Sequence, residues 1–358
     1  MNSSIGFQYN ENDEKTDILW GKRIKEIYQK LQDDVSKEIF TNRLMYSLSD
    51  NPQFMRNVIL ATESGRKFYE VLRESKNVYI YGAGIRGRRL VDCFPEIDWK
   101  GYIDRDKENK QGILPIIKLS QLEHCSDITI VVSLYSGYQE VREILEQKGF
   151  DETQIIVCGD YDKELADKIY FDECWNNEFC FDKYFVDAGA YDGRDIIKYY
   201  SMLDGKGKNL KVIAFEPDKS SYEVCKERLL EYKGCELRNT GLYHQNAEVG
   251  FNEGKGEGSY LSLESATTIR TECLDDVACD KEIGYIKMDV EGAEVAAILG
   301  AKDIISKQKP KLAISIYHKR SDIWRIPILL LQLCPSYKFW LRHYTVSYGD
   351  TVLYADIE

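Results

Sequence analysis

Apolar positions along this chain change their period from helical to strand-like near residue 77. From about Thr16 to Leu48 they recur at helical steps, with Ile24, Ile27, Leu31 and Val35 three or four apart. Ser49-Asp50-Asn51-Pro52 breaks that run, and a second helical run covers about Gln53 to Glu74. At Asn77 the period shortens. Val78–Tyr81 reads as a strand, and Gly82-Ala83-Gly84-Ile85-Arg86-Gly87 opens a helix. Strands at Tyr102-Ile103, Ile128–Val132 and Gln154–Val157, with a helix over Gln139–Lys148, complete a small Rossmann-like βαβ unit. Further strands follow at about Tyr184–Val186, Lys211–Phe215, Cys235–Arg238, Val249–Phe251, Tyr285–Met288, Leu312–Ile316, Tyr337–Leu341 and Thr351–Tyr354. Helices fill the gaps after the first, second, fourth and fifth of these. The last two have none between them, so one runs antiparallel.

This pattern divides the chain into a helical segment (1–75), a Rossmann-like unit (76–160), a linker (161–179) and a larger α/β domain (180–358). Residues 1–14 read as disordered, and the charged, aromatic stretch Asp160–Asn177 reads as a connection. The length of 358 residues and a hydrophobic content of 43% suit two such units. A net charge of −12 argues against a nucleic-acid partner, which would need a basic surface. Ten cysteines without a C-x-x-C pair read as reduced thiols of a cytoplasmic protein, and a zinc site is not expected. The N-terminus lacks an apolar leader, and no apolar run is long enough to span a bilayer. The N-terminal helices are expected to pack on the next unit or to join two copies of the chain.

Candidate chemistry gathers where strands end in acids. The first strand of the larger domain runs into Asp187-Ala188-Gly189-Ala190-Tyr191-Asp192-Gly193 before a helix starts. A glycine loop at a helix N-terminus welcomes phosphate, but two carboxylates repel it. Asp187 and Asp192 suit a cationic ligand, an ammonium with a sulfonium centre, which is S-adenosylmethionine. The next strand ends in Glu216-Pro217, about twenty residues past Gly193, the spacing at which an acid meets ribose hydroxyls. A third junction, Lys287-Met288-Asp289-Val290-Glu291-Gly292, repeats strand, acid and glycine. By contrast, Gly82, Gly84 and Gly87 form an acid-free G-x-G-x-x-G with Asp104 about twenty residues on, and Arg88 and Arg89 follow it. That loop offers a nucleotide or nucleotide-sugar site, or only tight packing.

Together these stretches resemble the FkbM family of S-adenosylmethionine-dependent methyltransferases: FVDAGAYDGRD (Phe185–Asp195), AFEPD (Ala214–Asp218), TECLDD (Thr271–Asp276), YIKMDVEGAE (Tyr285–Glu294), LAISIYHKRSDIW (Leu312–Trp324) and LRHYTVSYGDTVLYA (Leu341–Ala355). The resemblance implies a class I methyltransferase fold with a Rossmann-like seven-stranded sheet. It also implies O-methylation of a hydroxyl on a sugar, glycan or glycosylated natural product. The small unit at 76–158 looks like a domain often joined to glycan-modifying enzymes. Cofactor contacts are expected from Asp187, Ala188, Gly189, Asp192, Gly193, Glu216, Pro217 and Asp289.

Asp289 ends the fourth strand of that fold and faces the transferable methyl. Asp289 and Glu291, two apart, point the same way if the backbone is extended. His318, at the end of the fifth strand, is a general base, a ligand with Asp289 and Glu291 to a divalent cation, or a structural hydrogen bonder. Lys287 ion-pairs with a neighbouring acid or touches substrate. Glu294 complements a helix dipole. His343 is structural or positions substrate. The alternative reading is a nucleotide-binding protein or NAD-type oxidoreductase using Gly82–Gly87, with the C-terminal domain as scaffold.

Overall fold

The computed structural model describes residues 14–105, 114–175, 178–202, 210–252, 260–261 and 268–357. The stretch expected to be disordered, residues 1–14, lies outside them except for Glu14, which opens the first helix. The N-terminal segment is four helices: α1 (Glu14–Lys30), α2 (Asp34–Ser49), α3 (Pro52–Leu60) and α4 (Glu63–Glu74). Each of the two expected helical runs is therefore split. Asp33 breaks the first, capping α2 by accepting from Ser36 N at 2.7 Å. Thr62 breaks the second, its hydroxyl accepting from Gly65 N at 2.9 Å.

The next unit is β1 (Val78–Tyr81), α5 (Ile85–Cys93), β2 (Trp99–Ile103), β3 (Ile116–Ile117), β4 (Thr129–Val132), α6 (Tyr138–Gln147), β5 (Ile155–Val157) and α7 (Cys158–Ala166). Its strands are parallel in the order β3-β2-β1-β4-β5, with the order reversing between β1 and β4. The charged stretch after Asp160 is not a plain connection. It begins inside α7, and Phe171, Trp175 and Phe179 then bury themselves in an aromatic cluster with Phe185, Tyr199 and Tyr285.

The larger domain continues with β6 (Tyr184–Ala188), α8 (Arg194–Ser201), β7 (Val212–Phe215), α9 (Lys219–Arg228), β8 (Cys235–Arg238), β9 (Gly241–Leu242), β10 (Ala247–Asn252), β11 (Tyr260–Leu261), β12 (Thr268–Glu272), α10 (Leu274–Val277), β13 (Ile283–Met288), α11 (Glu294–Leu299), α12 (Lys302–Gln308), β14 (Lys311–Ser315), α13 (Asp322–Leu333), β15 (Lys338–His343) and β16 (Thr351–Asp356). Seven strands form one sheet in the order β15-β16-β14-β13-β6-β7-β8. Only β16 runs against the rest of this sheet, as the missing helix between the last two strands requires. The strand expected near Val249–Phe251 lies outside this sheet: it pairs with β11 and β12, and β12 in turn pairs with β9. The helix α13 follows β14, and its largely apolar sequence buries Ile323, Ile326, Ile328, Leu330 and Leu331.

The two sheets are tied through the helical segment and the β15–β16 hairpin. Arg43 of α2 donates to the Tyr348 carbonyl at 2.8 Å and to the Thr351 hydroxyl. Arg342 pairs with Asp33 at 2.8 Å. The hairpin tip reaches the end of the first sheet: Val346 N donates to Asp162 Oδ1 at 2.9 Å, and Tyr135 Oη lies 3.4 Å from Ser347 Oγ. All ten cysteines are free thiols. Among the described residues no helix is long and apolar enough to cross a membrane.

Candidate active site

The C-terminal edges of β6, β7, β13 and β14 bring the candidate residues to one rim. The loops after β6 and β13 touch: Asp289 N donates to Ala188 O at 2.9 Å. Gly189 has φ +85, and a Cβ there would stand 1.9 Å from the Asp289 carbonyl oxygen, so only glycine fits. Gly189 N and Ala190 N both donate to Phe215 O at 3.0 Å, which folds the loop over the end of β7. Gly193, at φ +80, then turns the chain into α8.

The acids of this loop carry their own basic partners, which changes the electrostatic argument. Asp187 and Lys287 sit opposite each other in the β6–β13 register, and Lys287 Nζ lies 2.9 Å from Asp187 Oδ1. Lys287 also reaches Asp195 at 3.3 Å and donates to the Gly189 carbonyl at 2.6 Å. Burial pushes the Asp187 carboxyl up, and the Lys287 ammonium opposes it. Of the two roles weighed for Lys287, the ion pair is the one present. Asp192 is held by Arg194 at 3.0 Å and by Arg228. Burial works to raise its pKa, but these guanidiniums keep it below the usual carboxylate range.

Among the described residues Glu216 has no such basic partner in direct contact. Its Oε2 accepts from Tyr191 N and its Oε1 from Asp218 N, both at 2.8 Å. Burial pushes its carboxyl up to about 7 despite those two amides. Pro217 follows it, and Asn239 Nδ2 donates to the carbonyls of both, at 2.9 and 3.2 Å. Each carboxylate oxygen retains a lone pair for a hydroxyl donor. The glycine cradle at Gly189 and this buried acceptor fit the ribose end of S-adenosylmethionine.

At the other end of the rim, β13 stops at Met288 and the backbone turns sharply. Glu291 has φ +51 and Gly292 φ +90. Asp289 and Glu291 thus do not share a direction through extended backbone, as the two-residue spacing suggested. The turn brings both to the same imidazole: His318 Nε2 is 3.3 Å from Glu291 Oε2 and 3.5 Å from Asp289 Oδ1. On the opposite side His318 Nδ1 is 2.9 Å from Oε1 of Glu294, the first residue of α11. Glu294 is buried and accepts from Val290 N at 3.1 Å and Gly292 N at 3.2 Å. Its expected dipole role omits this contact; the Glu-Gly-Ala-Glu spacing was the available signal.

Burial alone would lower the His318 pKa, but Glu291, Glu294 and Asp289 outweigh it and raise the pKa well above 6.5. These three acids thus favour the protonated ring. Burial opposes ionisation of Asp289, yet His318 and Lys287 hold it below the ordinary value; burial raises Glu291. Asp289 Oδ1 and both His318 nitrogens are enclosed without an aligned hydrogen-bond partner among the described residues. Asp289 Oδ2 accepts from the Tyr170 hydroxyl at 2.8 Å. Tyr170 lies in the stretch read as a linker, where sequence pattern carries no signal for it.

The remaining candidates stand apart from this rim. His343 is buried, its Nδ1 2.8 Å from Thr351 Oγ1 and its Nε2 3.0 Å from Ser347 O. In the first sheet Gly82 has φ +106, and a Cβ on Gly87 would lie 2.3 Å from the Gly82 carbonyl oxygen. Gly84 is extended and precedes α5. Asp104 Oδ2 accepts from Ala83 N at 2.8 Å, so this acid caps the glycine loop's own amide. Arg86 binds the Leu134 carbonyl at 3.0 Å and pairs with Asp162, and Arg89 stacks on Tyr348 at 4.7 Å. The β4 side of the loop is thus packed by this chain's own residues.

A seven-stranded sheet that is parallel except for one strand second from its edge, with a glycine turn and a buried acid at its rim, is the architecture of class I S-adenosylmethionine-dependent methyltransferases. Residues 187–345 match the methyltransferase FkbM domain, so this part of the chain is an S-adenosylmethionine-dependent methyltransferase domain of that type. It is 22% identical over 201 residues to the 2-O-methyltransferase NoeI of Sinorhizobium fredii, covering 48% of this chain and 79% of that protein. Its fold is similar to the crystal structure of methyltransferase FkbM from Methylobacillus flagellatus, with a TM-score of 0.51 at 19% identity. That likeness covers 90% of this chain and 99% of the other, so it includes the N-terminal unit.

Proposed function

We propose that this enzyme methylates a hydroxyl oxygen of a sugar or glycan. The observation that carries the reading is the Asp289–His318 pair just beyond the ends of adjacent strands, with Oδ1 and Nε2 3.5 Å apart and Glu291 Oε2 3.3 Å from the same nitrogen. A hydroxyl at that place bonds to both atoms at once. The 2-O-methyltransferase relative supports oxygen as the acceptor atom. Asp187, Ala188, Gly189, Asp192, Gly193, Glu216 and Pro217 form the cofactor side of the cleft in this reading, and Asp289 borders both sides. S-adenosylmethionine, when bound, supplies the electrophilic methyl.

The protein's tasks are to orient the hydroxyl and take its proton. Asp289 accepts from the hydroxyl and fixes its direction. His318 takes the proton on Nε2 once that nitrogen is free, with Glu294 holding Nδ1 and Glu291 sharing the charge. Lys287 anchors the floor through Asp187. The test is incubation with methyl-labelled S-adenosylmethionine and a panel of free, nucleotide-linked and oligomeric sugars, against phenols and amines as controls. Label transferred only to phenols or amines would overturn the reading.

A second reading is favoured by one further observation. Asp289, Glu294 and His318 each offer a ligand atom within 4.8 Å of the others. A divalent cation there, with Glu291 beside it, would displace the imidazolium proton and acidify a bound hydroxyl. Loss of activity in EDTA, restored by Mg²⁺ or Mn²⁺, supports it; unchanged activity in EDTA removes it.

A further inference from the structure

Tyr170 stands out by its backbone, its partners and its place in the chain. Its φ is +66, a left-handed conformation that a bulky aromatic residue rarely adopts. Such strain persists only where the surroundings fix it, and it concentrates at functional sites. Two buried phenols do the fixing. Tyr170 N donates to Tyr354 Oη at 3.1 Å, and Tyr285 Oη donates to Tyr170 O at 2.5 Å. Phe171, the next residue, is wedged among Phe179, Phe185 and Tyr285. With the main chain held on both sides, the side chain has one direction left. Its hydroxyl lies 2.8 Å from Asp289 Oδ2 and 3.1 Å from Ser315 Oγ, on the end of β14.

We infer that Tyr170 is a positioning residue for methyl transfer, setting the rotation of the Asp289 carboxylate. The inference rests on the reading of Asp289 as the acceptor-facing acid. The phenol occupies Oδ2, so Oδ1 is the oxygen turned to His318, 3.5 Å from Nε2 and without a hydrogen bond among the described residues. Without the phenol the carboxylate is free to turn and to bring either oxygen to His318. The hydroxyl of the acceptor would then lose its fixed direction, and misplacement of about 1 Å costs on the order of a hundredfold in rate. Glu294 serves His318 on the far side in the same manner, so each member of the pair has a buried helper. The segment that joins the two sheets is thereby part of the catalytic rim.

Tyr170→Phe tests this, since it keeps the ring and its packing. With a sugar from the acceptor panel, kcat should fall about ten- to a hundredfold. The acceptor KM, the S-adenosylhomocysteine affinity and the melting temperature should hold. Crystal structures of the full chain with S-adenosylhomocysteine should show the Asp289 carboxylate rotated in Y170F and fixed in the wild type. Wild-type kcat in Y170F, or a carboxylate that stays in place, overturns the inference. If the wild type methylates no sugar, the proposed function fails, yet the two crystal structures still decide the role of Tyr170. Should Y170F not fold, Ser315→Ala removes the other hydroxyl beside Tyr170 Oη and reads the same rotation.

Discussion

Replacing Glu216 tests the cofactor side of the cleft most directly. Its carboxylate accepts two backbone amides, and in the proposed complex it also accepts the ribose hydroxyls. Hydrogen bonds to a charged group contribute about 1.5–3 kcal/mol. Glu216→Ala should therefore weaken S-adenosylhomocysteine by roughly ten- to a hundredfold. The substitution also strands the amides of Tyr191 and Asp218, at about 1–3 kcal/mol for each left without water, so the melting temperature should drop too. The pH dependence separates the two effects. With its carboxyl at about 7 in the free protein, Glu216 is protonated below that pH. Its folded pKa lies above the ordinary 4.5, so its contribution to folding stability is present below pH 4.5 and lost as pH rises through 7. Cofactor affinity should move the other way. It requires the carboxylate, so it should weaken about tenfold between pH 8 and pH 6, with proton release on binding. Titration calorimetry in buffers of different ionisation enthalpy measures both. A folded Glu216→Ala variant with unchanged affinity, or an affinity flat across that range, refutes the assignment.

His318→Ala should lower kcat by about 10²–10⁴-fold while S-adenosylhomocysteine affinity holds. In the wild type the rate limb should lie above neutral pH, because the surrounding acids raise the imidazole pKa; Glu294→Gln should shift that limb down, and a limb fixed at its wild-type position would count against the contact. Lys287→Met leaves Asp187 buried without its partner, so urea denaturation should show a loss of about 3–5 kcal/mol, largely recovered in the Lys287→Met, Asp187→Asn double variant. His343 is pushed down to about 3 by burial and by Arg43, below its ordinary 6.5. Its stabilising contribution is thus present above pH 6.5 and lost as pH falls toward 3, a slope of about 1.4 kcal/mol per unit that His343→Gln should flatten.

The parts of this protein that could be read from sequence are those whose signal is local. Asp187, Glu216 and Asp289 each close an apolar run beside a glycine or proline, and the fold sets them on one rim. The helix breaks at Asp33 and Thr62 were missed because helical periodicity continues through both; the caps show only once Asp33 is seen also to hold Arg342. The strand near Val249 matched the period of the others, and period alone does not say which sheet a strand joins. Lys287 could be matched to Asp187 only through the β6–β13 register. Tyr170 and Glu294 were hidden for a different reason. Their chemistry depends on contacts with Asp289 and His318 from other segments, which no spacing rule connects.

The tip of the last hairpin bears on how separable the two halves are. Arg43, Asp162, Tyr135 and Arg89, all from the first 166 residues, grip Val346, Ser347, Tyr348 and Thr351. A catalytic half cut free near residue 180 would expose this tip and lose those partners, next to the turn that carries His318. Exchanging the N-terminal half between relatives should therefore succeed only when the hairpin tip travels with it. In breeding terms the two stretches behave as one linked locus, although most of the larger domain lies between them in the chain.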